Sequence, residues 1–153
     1  NKIKEIRFHH IPRNENKRAD QLANEAMDTN RIQTPSGRQY EFEHMVRRGD
    51  RVSNFTMIKN YPVQGFATGC IVPVVMMEFE KELDNMQSCL VNTVHDSIVV
   101  DVHPDEIDEV IAAVATINSN LHDIIYSYYD VDFNVPLLLE AKIGDNWLDT
   151  KDV

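Results

Sequence analysis

The sequence predicts an α+β fold built on an antiparallel sheet, and three observations carry that expectation. Leu90–Val102, LVNTVHDSIVVDV, reads as two short strands meeting at His95-Asp96. Its Ile98, Val99 and Val100 are β-branched, which suits a pleated, half-buried surface. Two stretches, at about 65–84 and 104–122, repeat apolar residues at helical spacing and would back the sheet. A strand–loop–helix at the start of the chain stands before them as an appendage.

The totals bound what such a fold can be. At 153 residues, 42% of them hydrophobic, the chain suffices for one domain with a real core, or one domain and an appendage. No apolar run approaches the roughly 20 residues that span a bilayer, and the first residues do not form a secretory signal. Cys70 and Cys89 make neither a disulfide framework nor a CxxC, so a reducing, cytoplasmic location is expected. Asn1 is not Met, and the chain already reads as a strand there, so further sequence is expected before it. The net charge of −10 is unevenly spread. Residues 1–60 hold 12 Lys+Arg against 8 Asp+Glu, and residues 61–153 hold 3 against 17. Affinity for nucleic acid follows local basic stripes rather than the total, so the first part can face a phosphate backbone. The acidic remainder either faces a metal or is simply a solvated surface.

Lys2-Ile3-Lys4-Glu5-Ile6-Arg7-Phe8 alternates apolar with charged residues, the period of a half-buried strand. A polar loop from His9 leads into a helix at about Glu15–Met27, with Ala19, Leu22, Ala23 and Ala26 on one face and Asn14 or Asn16 to cap it. The stretch HHIPRNENKRADQLANEAMD, residues 9–28, resembles the C-terminal end of type 1 ribonuclease H. That resemblance implies a proton-moving or product-releasing His10 and a metal-ligating Asp20. One Asp and one His do not hold two Mg²⁺, which need several oxygen ligands.

A break follows at about residues 28–33, which divides the chain into 1–30 and 31–153. Thr34-Pro35-Ser36-Gly37 is turn chemistry, Arg38–Phe42 alternates like a short strand, and Arg47–Arg51 is a basic loop that is either a solvated turn or a phosphate contact. Thr56–Gly65 leads into the first long helical pattern. Gly65, Ala67, Thr68 and Gly69 let a backbone approach something closely, and Pro73 predicts a bend near 69–73. Pro104 opens the second helix, with Asp105, Glu106, Asp108 and Glu109 at its positive end. Tyr126, Tyr128 and Tyr129 read as core and rim aromatics, and Val135–Ile143 as a final strand. Taken alone, His95-Asp96-Ser97 is either ordinary hairpin-turn chemistry or a carboxylate held rigidly at the tip of two apolar arms.

Several motifs, taken together, resemble family A DNA polymerases in order and spacing, and their wording is most similar to the bacteriophage branch. They are Thr34-Pro35-Ser36-Gly37-Arg38, Asn60-Tyr61-Pro62-Val63-Gln64-Gly65, Val94-His95-Asp96-Ser97, Val135-Pro136-Leu137 and Gly144-Asp145-Asn146-Trp147. The resemblance covers residues 31–153 and implies a palm-type sheet with the hairpin at its centre. It implies that Asp96 is one of two carboxylates binding the catalytic Mg²⁺ pair, with His95 orienting the hairpin or lying near the primer end. It implies that Asn60 and Gln64 touch the primer–template terminus through the minor groove, where every base pair offers acceptors to an amide donor. Arg38 falls with them among the nucleic-acid-binding positions.

Three departures bear on the reading. Ser97 stands where the family usually has an acidic residue, and Thr56 where many relatives have Arg. The segment that would precede Thr34, with the second metal-binding Asp and the triphosphate-binding fingers helix, is replaced by the ribonuclease H-like stretch. The expected function is therefore part of a template-directed DNA polymerase, inactive alone, in the cytoplasm of a bacterial or phage-infected cell. Its expected partners are primer–template DNA, a deoxynucleotide and a second chain supplying the missing carboxylate and fingers, with no membrane. The alternatives are a ribonuclease H-type hybrid hydrolase fragment, or a non-catalytic fused or truncated piece that binds nucleic acid.

Overall fold

The structure, a computed structural model, describes residues 2–8, 25, 28–42, 47–48, 51–52, 55–133, 136–146 and 148–153. In chain order the elements are β1 (Lys2–Phe8), β2 (Arg31–Gln33), β3 (Gln39–Glu41), β4 (Arg47–Arg48), β5 (Arg51–Val52), α1 (Phe55–Phe66), a π-helical segment (Ala67–Ile71), α2 (Val72–Glu82), β6 (Cys89–Val94), β7 (Ser97–Val102), a 3₁₀ turn (Pro104–Glu106), α3 (Ile107–Tyr129), β8 (Leu139–Gly144) and β9 (Lys151–Asp152). They fall into two compact units, residues 1–10 with 71–153, and residues 11–70.

The first unit is a five-stranded antiparallel sheet in the order β6-β7-β1-β8-β9, with α2 and α3 packed on it. The fold class is the expected one, but the place of β1 is not. The strand assigned to an appendage lies in the middle of the sheet, pairing Arg7 with Ser97 on one side and with Glu140 on the other. The compact units accordingly do not follow the division into 1–30 and 31–153. Alternation identifies a strand but says nothing of its neighbours, and those of β1 lie some ninety or more residues away. Strand β7 is buried at Ser97, Ile98, Val99, Val100 and Val102, the near-continuous pattern of a strand covered on both faces. Strand β6 is the opposite, an exposed edge that carries a bulge at Val91, between Leu90 and Asn92. Such a bulge interrupts the row of pairing groups that an edge otherwise presents.

The first long helix begins at Phe55, so the whole Asn60–Gln64 motif is helical and Pro62 lies inside α1. The irregularity expected near Pro73 is the π-helical segment just before it. Pro73 has no amide to give the carbonyl of Gly69 and its ring would strike it; a wider turn removes the conflict. The Thr68 hydroxyl donates to the Gln64 carbonyl (2.8 Å), so a side chain occupies a carbonyl at the end of α1. Thr56–Glu82 is long and apolar enough, by length and composition, to cross a membrane. Its Ile58, Ile71, Val72, Val74, Val75 and Phe79 are buried within the protein.

Helix α3 runs seven residues past the expected end because its apolar stripe continues through the buried Leu121 and Ile125. It stops at Asp130, which is left-handed (φ 53°) and donates its N–H to the Tyr126 carbonyl. Asn118, midway along α3, grips the start of β8 with both ends of its amide. Its Oδ1 accepts from Leu139 N (2.9 Å) and its Nδ2 donates to Leu139 O (3.4 Å). The final strand is Leu139–Gly144, shorter than 135–143, and β9 returns beside it, with Val153 N donating to Ala141 O. Gly144 is needed in that return: a Cβ there would stand 2.7 Å from the Asp149 carbonyl oxygen.

A carboxylate ties the start of β6 to the start of α3. Glu106 accepts from the amides of Gln87 (2.8 Å) and Ser88 (2.8 Å) and from the buried Ser88 hydroxyl (2.7 Å), whose oxygen accepts in turn from His103 N. The Gln87 amide first, then the Ser88 hydroxyl, hold the Glu106 pKa below its ordinary 4.5. Folding thus favours the ionised carboxylate. The clamp contributes fully above pH 4.5, the unfolded value, and is lost as pH falls through the lower folded value. Glu106→Gln is expected to lower the melting temperature at pH 7 and to have less effect near pH 3, measured by thermal denaturation at the two pH values.

The second unit contains the β2–β3 hairpin and the small β4–β5 ribbon, with Ile32, Phe42 and Ile58 buried. Of the basic stretch, Arg47 pairs with Val52 and Arg48 with Arg51 in that ribbon. In the β2–β3 loop, Gly37 N donates to Thr34 O and Thr34 N to Arg38 O, both at 2.9 Å, with Gly37 left-handed at φ 82°.

Candidate active site and nucleic-acid-facing residues

The β6–β7 hairpin turns on two residues, with Val94 paired to Ser97 and His95-Asp96 between them. His95 has φ 54° and Asp96 has no positive φ, so the first residue of the turn sits where glycine is favoured. Holding an L-residue there costs about 1 kcal/mol. His95→Gly is therefore expected to stabilise the fold by about 0.5–1 kcal/mol, seen as a raised denaturation midpoint. If the imidazole has a role near the primer end, that gain in stability comes with a loss of function.

Two hydroxyls close the turn. Ser97 Oγ donates to Val94 O (2.8 Å) and Thr93 Oγ1 donates to Ser97 O (3.0 Å). Ser97 is 4% exposed. This gives the departure at Ser97 a structural reason, because an ionised carboxylate only accepts and would have no proton for the Val94 carbonyl. Asp96 itself is exposed and makes no hydrogen bond or ion pair with any described residue. Its carboxylate sits at the end of β7, a strand buried at five of its six positions. The C-terminal end of β1 reaches this turn, Arg7 lying opposite Ser97.

As a ligand for a hard divalent cation Asp96 fits, being an unengaged oxygen donor on a rigid support. Among the described residues no three His, Cys, Asp or Glu side chains come together to hold a metal.

In the other unit, Asn60 and Gln64 are both exposed on α1, four residues apart and hence on one face. Arg38, exposed, lies over the π turn: a Cβ on Gly69 would stand 2.9 Å from its Nη1. A Cβ on Gly65 would overlap the hydroxyl of Tyr40 and lie 2.9 Å from its Cζ. The close approach that the small residues foretold is thus made by the two side chains of the β2–β3 hairpin. The hydrogen bond to Tyr40 raises the Arg38 pKa, with smaller electrostatic contributions from Tyr40 and Cys70. The Cys70 thiol donates to Ser36 Oγ (3.1 Å), which lies 2.9 Å from Thr34 Oγ1, so the motif Thr34–Arg38 is tied to the helix along its length. Tyr40 was not among the sequence-derived site residues; only the glycines at 65 and 69 hinted that something must lie on them. His10 and Asp20 lie outside the described residues, as do Val135 and Trp147.

Comparison with known proteins gives the family. Residues 8–149 match the model of DNA polymerase family A, and the chain belongs to that family. It is 28% identical over 104 residues to DNA polymerase I of Deinococcus radiodurans, covering 68% of this chain and 10% of that protein. It is 34% identical over 91 residues to the DNA polymerase of Bacillus phage SP01, covering 59% and 10%. It is 28% identical over 137 residues to DNA polymerase I of Lactococcus lactis, covering 86% and 14%. The fold is similar to that of the POL domain of Pol1 from M. smegmatis, solved in complex with DNA primer-template and dNTP, with a TM-score of 0.61 and 21% identity over 84% of this chain and 22% of that one. The chain thus spans between a tenth and a seventh of the length of these curated relatives. The family match also runs through all of residues 9–28, the stretch that resembles ribonuclease H.

Proposed function

We propose that this chain is the palm-side part of a template-directed DNA polymerase, which binds primer–template DNA and supplies one metal-binding carboxylate for nucleotidyl transfer. The observation that carries this reading is Asp96, an unengaged carboxylate at the tip of the sheet hairpin in a chain that matches the family along 8–149. In this reading the metal is Mg²⁺, which when bound lowers the barrier to attack by the primer 3′-hydroxyl on a deoxynucleotide and stabilises the leaving pyrophosphate. Asp96 holds one coordination position. Asn60 and Gln64 donate amide protons to the minor-groove acceptors common to all base pairs, which checks pair shape without reading sequence. Arg38 meets a phosphate. The remaining carboxylate and the triphosphate-binding side chains come from another segment or chain, and the place of action is the cytoplasm of a bacterial or phage-infected cell.

The test is primer extension with the purified 153-residue chain, with and without a polymerase fragment carrying the missing parts. The expected result is no incorporation by the chain alone, with salt-sensitive binding to primer–template. Incorporation by the chain alone that Asp96→Asn abolishes would overturn the claim of dependence. Hybrid cleavage that needs Asp20 and not Asp96 would replace the polymerase reading with a ribonuclease H one.

A further inference from the structure

Arg38 is an exposed guanidinium, and among the described residues no carboxylate pairs with it. Surface arginines usually sweep a wide volume, and ordering one costs rotamer entropy. This one has been given a seat. Its guanidinium rests on Gly69, whose missing Cβ would otherwise stand 2.9 Å from Nη1, 3.6 Å from Cζ and 3.7 Å from Nη2. Tyr40, two residues on in β3, is half-buried, and its hydroxyl fills the place of the missing Cβ of Gly65. The same side chain is the leading cause of the raised Arg38 pKa. Gly65 follows Gln64 directly, about 100° further round the helix, and Gly69 lies one turn on.

We propose that Tyr40 is a positioning residue for DNA binding, whose hydroxyl, lodged on bare Gly65 and bonded to Arg38, holds the guanidinium over Gly69 beside the Asn60/Gln64 face so that its remaining donors meet a phosphate of the duplex. An arginine fixed in this way binds the backbone without first losing its rotamer freedom, and its fork leaves donors for the phosphate after one is spent on Tyr40. The two glycines and the tyrosine form one device. A side chain at 65 would evict the hydroxyl, and one at 69 would lift the guanidinium. The proposal rests on Arg38, Asn60 and Gln64 facing DNA.

The experiment measures binding of the purified chain to a fluorescent primer–template duplex as a function of salt. Tyr40→Phe keeps the ring and removes only the hydroxyl. It is expected to weaken binding about three- to tenfold. It should also lower the salt slope by up to about one counterion, approaching the effect of Arg38→Gln. In the Arg38→Gln background Tyr40→Phe should add nothing, the mark of a residue acting through another. A hydroxyl with only a packing role would weaken both backgrounds alike or neither. Arg38→Gln that weakens binding while Tyr40→Phe does not would overturn the role of Tyr40 and leave the DNA-facing surface intact. Unchanged binding in Arg38→Gln, Asn60→Ala and Gln64→Ala would remove that surface, and the proposal with it. Melting temperatures of each variant separate loss of contact from loss of fold.

Discussion

Asp96→Asn is expected to leave the fold standing and to remove metal binding at the hairpin. The carboxylate makes no bond to any described residue, so the unfolding midpoint should be unchanged. The amide that replaces it is a much poorer ligand for a hard cation. Titration with Mn²⁺ as a paramagnetic probe should broaden the amide signals of His95, Asp96 and Ser97 in the natural chain and leave them sharp in the variant. Placed in a complete enzyme together with the missing segments, the same change should lower nucleotide incorporation by about 10³-fold or more, the scale of losing preorganised charge stabilisation in a transition state. Equal broadening in both proteins would show that the cation sits elsewhere.

Phe79→Ala should have the opposite profile, unfolding the support and sparing the tip. Phe79 is 0% exposed on α2, among Val75, Ile98, Val100 and the apolar stripe of α3 in the buried core. Helix α2 touches β6, β7 and α3, so its buried face belongs to the core that supports the hairpin. Removing a buried phenyl ring costs about 3–5 kcal/mol, including the cavity left behind. That is a large share of the roughly 5–15 kcal/mol by which a small domain is stable. Urea denaturation should show a much lower midpoint with an unchanged slope. A loss below about 1 kcal/mol would mean that the core collapses onto the vacated space.

The two variants mark what was legible in the sequence. Local signals were readable because they are written in adjacent residues. The β-branched run of β7, the acidic first turn of α3 and the Thr-Pro-Ser-Gly turn each carry their own stereochemistry. The motifs also read correctly as a set, since their order and spacing point to a family in a way no single motif does. Contacts between distant residues were the part that local patterning did not reveal. The central place of β1 depends on partners at 97–102 and 139–144, and Tyr40 on a glycine 25 residues away. Ser97 read only as a departure from an acidic residue, because a chain of letters does not show which carbonyl its hydroxyl reaches. The end of α3 was missed for a simpler reason: Leu121 and Ile125 extend the apolar stripe past the point where the pattern was read.

The pairing of Lys2 with Val102 and of Ile3 with Gly144 also governs the order in which the molecule can be assembled. Lys2–Phe8 has to wait for strands 90 or more residues further along the chain before the sheet closes. Until then β6–β7 and β8–β9 are separate hairpins with no common neighbour. Such long loop closures slow folding, as in other architectures of high contact order, and leave strand edges open to strangers in the interval. Cutting the chain after Phe8 would not trim a tail. It would remove the strand to which both hairpins are joined, and the turn that carries Asp96 would lose its inner wall.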